Sequence, residues 1–120
     1  MADSDLPGSL HLVDHALLRR EMTILRDVET DHGTFRASLI RASSLLAAHA
    51  LRDVPMREVE VMTPLEPTVG HAFEREVVLV PVLRAGLGLM DGFLSLLPDA
   101  RVGHVGVQRD HDAHLPRGYY

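Results

Sequence analysis

Arg84 stands between an apolar run, VVLVPVL at residues 77–83, and the sequence Ala85-Gly86-Leu87-Gly88. A guanidinium placed between two apolar elements is costly unless an anion meets it. Gly86 and Gly88 give the loop a backbone that a ligand can approach closely. A second arginine, Arg109, closes another apolar stretch, RVGHVGVQ at residues 101–108. On neighbouring parallel strands both arginines would sit at carboxyl ends, where open α/β sheets bind ligands. A helix opening near Gly88 would point unpaired N–H groups at the same place. Such a site can hold a phosphate-bearing ligand, each charge-assisted hydrogen bond contributing roughly 1.5–3 kcal/mol.

Other phosphate-binding patterns are missing. The dinucleotide fingerprint fails because Asp91 stands where its third glycine belongs, and no Walker A lysine follows the glycines. Two histidine clusters could in principle take zinc or nickel: Asp110, His111, Asp112 and His114, and, near the amino end, His11, Asp14 and His15. Neither has the His-Glu-x-x-His spacing, and both read as solvated loop residues, so no metal site is assigned. His104 reads as a structural histidine inside the last strand. Asp91 could face either a ligand cleft or solvent.

The elements that must position Arg84 follow from periodicity. DHALLRREMTILRD, from Asp14, puts Leu17, Leu18, Met22 and Leu25 on one helical face, with Asp14 as N-cap. A second helix follows, its face made by Phe35, Leu39, Ala42, Leu46 and Ala50, with Pro55 just beyond its end. Val59 and Val61 then alternate with glutamates, the pattern of a half-buried strand. Residues 63–76, with Pro64, Pro67 and Gly70, predict a hairpin or loop. The apolar run before Arg84 reads as a strand covered on both faces, with Pro81 interrupting its pairing. GLGLMDGFLSLLP predicts a helix with Leu87, Met90, Leu94 and Leu97 inward, and residues 101–109 return as a strand. Strand, helix and strand within about thirty residues make a βαβ unit and a parallel sheet. Residues 1–10 read as a flexible arm, and HDAHLPRGYY as a polar turn leading to two tyrosines that look like the start of a strand.

Composition sets outer bounds. At 120 residues the chain fits a single domain. Its five aromatics leave Leu, Val, Ala and Met to build the core. The absence of cysteine excludes disulfides, thiolate zinc sites and a cysteine nucleophile. A net charge of −5 argues against unspecific nucleic-acid or anionic-membrane partners. The amino terminus lacks a signal-peptide pattern, and the longest apolar run is far short of the ~20 residues a membrane helix needs. A soluble, cytoplasmic protein is the expectation.

Taken together, VVLVPVLRAGLGLMDGFLSLLPDARVGHVGVQRD resembles the uracil phosphoribosyltransferases, of the type I phosphoribosyltransferase family. LVDHALLRREMTILRDVETDHGTFR is similar to that family's amino-terminal helices, and EVEVMTPLEPTVG to its first strand and hairpin. The resemblance implies a partial type I phosphoribosyltransferase α/β fold: two amino-terminal helices, then a mainly parallel sheet with a βαβ unit, in a single truncated domain over residues 1–120. It implies transfer of phosphoribose from 5-phosphoribosyl 1-diphosphate to uracil, giving UMP and diphosphate in pyrimidine salvage. Arg84 matches the arginine that holds the donor diphosphate, Arg109 a second arginine at that group, and Ala85, Gly86 and Gly88 the loop that lets the backbone approach. No catalytic residue is assigned. Magnesium is implied with the donor, GTP as an allosteric activator, and a homo-oligomer, commonly a dimer, as the assembly. The family's later Asp-Pro-Met-Leu-Ala-Thr-Gly-Gly-Ser loop and its uracil-recognising segment have no counterpart in these residues. Gln108 stands where the family often has an aromatic residue. A second reading therefore stands beside the first: a non-catalytic, truncated module that dimerises or binds nucleotide or diphosphate.

Overall fold

The computed structural model describes residues 10–109 and 116–118. The expected arm, apart from Leu10, and the two terminal tyrosines lie outside the described residues. Helix α1 (Ala16–Arg26) leads to α2 (His32–Ala50), then to strands β1 (Met56–Met62) and β2 (Pro67–Phe73). Strands β3 (Val78–Leu79) and β4 (Val82–Leu83), helix α3 (Leu87–Leu96), and strands β5 (Arg101–Val102) and β6 (Val105–Arg109) follow, and β7 (Pro116–Gly118) closes the order.

Local chemistry explains the helix starts. The Asp31 carboxylate accepts hydrogen bonds from the Gly33 and Thr34 amides at 2.9 and 3.0 Å and caps α2. The Thr34 hydroxyl also donates to it, the main reason its carboxyl lies below the ordinary carboxylate value. Asp14 does not cap α1 as its sequence position suggests. His15 does, its Nδ1 accepting from the Leu17 amide at 3.2 Å, while Asp14 pairs with Arg19.

Helix faces differ from the hydrophobic pattern. In α1 only Leu18 and Glu21 are buried, and Leu17 faces solvent. In α2 the buried residues are Ser38, Ala42, Ser43 and Ala47, whereas Phe35 and Ala50 are exposed. The cause is close helix contact, which selects small side chains. Gly88 and Gly92, one turn apart on α3, face Leu39 and Ser43 of α2. The Ser43 hydroxyl donates to the Leu89 carbonyl. In α3 itself Leu87 is exposed, Met90 and Leu94 are half-buried, and Leu97, just past the helix, is buried.

β1 and β2 form an antiparallel hairpin in register from Met56–Phe73 to Met62–Pro67. Val61 on β1 is 41% exposed rather than half-buried. The apolar run before Arg84 splits at Val80-Pro81 into β3 and β4, and pairing resumes beyond the proline. β3 pairs with β5 and β4 with β6, both parallel, with α3 as the crossover. β7 adds to β6 antiparallel. The expected cover on both faces is not found. Along 78–83 burial alternates, with Leu79 and Pro81 inside and Val78, Val80 and Val82 each about half exposed, at 51, 51 and 53%.

Candidate functional site

β4 ends at Leu83, and Arg84, Ala85 and Gly86 make the turn into α3. The Gly86 amide bonds the Val82 carbonyl at 2.9 Å. Those of Leu87, Gly88 and Leu89 bond the carbonyls of Arg84, Ala85 and Gly86 at 3.1, 3.1 and 3.2 Å. The four amides that a helix start normally leaves open are thus closed internally. The open amides lie one step earlier: those of Arg84 and Ala85 have no acceptor among the described residues. The Leu83–Arg84 peptide bond is cis. Arg84 is exposed and forms no ion pair with a described residue.

The two glycines have a structural reason to be glycine. No glycine among the described residues has a positive φ, so backbone freedom is not the cause. A Cβ on Gly86 would stand 2.6 Å from the Val82 carbonyl oxygen and 2.8 Å from its nitrogen. One on Gly88 would stand 2.7 Å from Leu39. Both lie against the protein interior, so the Arg84 turn is pinned to β4 and α2 from behind.

Arg109 ends β6, the strand beside and parallel to β4, so its backbone leaves the sheet on the same side as Arg84. With Leu83 opposite Gly106, Arg109 lies two residues beyond the level of Arg84, roughly 6–7 Å along the strand direction. The Arg109 side chain is outside the described residues. The arrangement brings two arginine positions to one sheet end, with two backbone amides between the strand and the helix that have no acceptor among the described residues. It can receive a polyanion.

The remaining sequence candidates fall elsewhere. Asp110, His111, Asp112 and His114 are outside the described residues. His11, Asp14 and His15 gather no metal-ligand set, and no group of three such side chains exists among the described residues. His104 is not a core residue inside a strand: it is exposed, in the gap between β5 and β6. Asp91 is exposed on α3. A cavity of about 440 Å³ lies at the far end of the sheet, lined by Arg57, Phe73, Glu76, Leu97 and Asp99 among others, away from Arg84.

One polar cluster was not read from the sequence. Glu21 of α1 is buried, its carboxylate accepting from Arg41 at 2.8 Å and from the Ser38 hydroxyl at 2.7 Å, both on α2. Arg20 adds a contact at 2.9 Å. The Arg41 hydrogen bond, then that of Ser38, hold the Glu21 carboxyl down to about 2 against the opposing effect of burial. This cluster locks α1 to α2 and stands apart from the Arg84 turn.

A family model for uracil phosphoribosyltransferase matches residues 12–120. The chain is 49% identical over 109 residues to the uracil phosphoribosyltransferase of Salinibacter ruber, covering 91% of this chain and 52% of that one. It is 42% identical over 114 residues to the enzyme of Polaromonas naphthalenivorans, covering 94% and 54%. With that of Fervidobacterium nodosum it shares 44% over 112 residues, covering 92% and 54%. Among solved structures it is similar to the AQ2163 protein of Aquifex aeolicus, with a TM-score of 0.82 and 30% identity over 90% of this chain and 52% of that one. The chain therefore spans about half the length of the curated relatives it matches.

Proposed function

Because the chain belongs to the uracil phosphoribosyltransferase family, we propose that it carries the diphosphate-binding part of a uracil phosphoribosyltransferase, with Arg84 on the diphosphate of 5-phosphoribosyl 1-diphosphate. The observation that carries this reading is the exposed Arg84, without an ion pair among the described residues, at the carboxyl end of a parallel strand, with Arg109 ending the adjacent one. In the reaction the bond from the ribose C1 to the diphosphate oxygen breaks and a bond from C1 to uracil N1 forms. The N1 proton is released, and the electron pair of the broken bond leaves with diphosphate. Positive charge develops on the ribose and negative charge on the leaving oxygen.

Arg84 answers the second of these charges. Its exposed guanidinium presents its donors where that charge grows, and donors held ready in this way lower barriers electrostatically. The Arg84 and Ala85 amides supply two further donors at the same turn, and Arg109 a second cation. Gly86 and Gly88 hold the turn in place through their packing on β4 and α2. The family resemblance implies magnesium with the donor's diphosphate, where it would supply further charge. GTP activation, a cytoplasmic location and a homodimer follow from the family resemblance alone.

The test is formation of UMP from labelled uracil and 5-phosphoribosyl 1-diphosphate with magnesium. In a full-length context, loss of one charge-assisted hydrogen bond in Arg84→Ala should lower kcat/KM by roughly 10- to 150-fold with the circular dichroism spectrum unchanged. Equal efficiency in the variant would sink the role of Arg84. The second reading is a binding module without turnover. That reading predicts no UMP from the 120-residue chain but diphosphate binding that Arg84→Ala abolishes.

A further inference from the structure

Strand β7 runs antiparallel to β6, with Arg117 directly opposite Gln108. Side chains alternate across a strand, and directly opposite residues share a face. The two faces of this sheet are distinct. Val78, Val80, Val82 and Val105 are 51, 51, 53 and 39% exposed and form an open valine face. Leu79, Pro81 and Gly106 are buried and mark the covered face. Gly86, where α3 starts, lies against Pro81, a Cβ there being 3.3 Å from the proline Cα. Leu83 pairs with Gly106, so alternation along β6 puts position 108, and Arg117 opposite it, on the covered face. Position 109 falls on the valine face. The sheet end thus has an arginine position on each side, and Arg117 is the one on the side from which α3 starts.

We propose that Arg117 is a further donor-binding residue, contacting from the β7 side the same diphosphate that Arg84 holds; this rests on the placement of diphosphate at Arg84. The register sets Gln108 and Arg117 one residue beyond the level of Arg84. The strand order β4-β6-β7 puts two strand spacings, about 10 Å, between the end of β4 and Arg117. Arg117 is exposed. Two arginines at the borders of such a gap can engage one polyanion from opposite sides, each through forked, charge-assisted hydrogen bonds. In the sequence Arg117 lies past the polar turn, away from every apolar run, and only the β6–β7 pairing returns it to this sheet end. A charged residue on an edge strand can also serve to block pairing with other chains. That role needs no ligand and leaves diphosphate affinity independent of Arg117.

The test is the Kd of the 120-residue chain for inorganic diphosphate with magnesium, measured by isothermal titration calorimetry. The parent is compared with Arg84→Ala, Arg117→Gln, Arg117→Lys and, as a control of equal charge change on β1, the exposed Arg57→Gln. Arg117→Gln should raise Kd roughly tenfold or more, with a thermal melt matching the parent's. Arg117→Lys keeps the charge but loses the fork, so its Kd should fall between those of the parent and Arg117→Gln. Arg57→Gln should bind as the parent does. Weaker binding in Arg84→Ala with none lost in Arg117→Gln would overturn the role of Arg117 alone and leave Arg84 its own. An equal loss in Arg57→Gln would also overturn it, because net charge would then be the cause. Parent binding that neither Arg84→Ala nor Arg117→Gln weakens, or no binding by the parent, would overturn both placements.

Discussion

Glu21 is buried as a carboxylate between Arg41 and Ser38, so its proton equilibrium is tied to folding. Its folded value of about 2 lies below the ordinary 4.5. The unfolded chain therefore takes up a proton first as pH falls, and the stabilisation, complete above about 4.5, is lost progressively down to about 2. Thermal melts followed by circular dichroism should show the melting temperature falling through that window. Glu21→Gln should flatten the fall and lower the melting temperature at pH 7, since Arg41 would lose its counter-charge. A slope identical to that of the parent chain would exclude Glu21 as its source. The contrast with Arg84 shows what a sequence reveals about single residues. The place of Arg84 between a strand and a helix was legible because strand, arginine and glycines are contiguous in the chain. Glu21 was not, because its partners lie 17 and 20 residues away on another helix, and an isolated glutamate in an amphipathic pattern looks like solvent-facing charge.

Between elements, the contact of α2 with α3 decides how the Arg84 turn is held. Gly92 is buried there, and a Cβ would fall inside van der Waals contact of Ser43 and 2.6 Å from the Ser44 nitrogen. In an exposed helix, glycine to alanine gains about 1 kcal/mol. Here overpacking should reverse the sign, so that Gly92→Ala destabilises by about 1–3 kcal/mol, read as a lower midpoint in urea at unchanged slope. A gain in stability would mean that the two helices separate easily. Element order was legible: three helices, the hairpin and the parallel βαβ unit all follow from periodicity and turn residues. Helix faces were not. Hydrophobic counting selected Phe35 and Ala50, whereas the packed seam uses Ser38, Ala42, Ser43 and Ala47, because close approach rewards small volume rather than hydrophobicity. Pro81 was informative in kind but not in extent, since pairing pauses at it and then resumes.

At the scale of the molecule the apolar core is thin. Leu18, Ala42, Ala47, Leu79 and Leu97 are the buried hydrophobic residues among those described, and the radius of gyration is 18.5 Å where a compact domain of this length has about 14 Å. Large apolar side chains stay outside on the hairpin, as at Met62 and Leu65, and on the valine face of the sheet. Uncovered apolar surface of this kind, on two-residue strands with open edges, drives association between copies. The mass seen by light scattering should therefore climb with concentration for the chain alone, accompanied by binding of an apolar dye. A mass that stays level across the same range, with no dye bound, would show that the exposed valines, Met62 and Leu65 do not drive association.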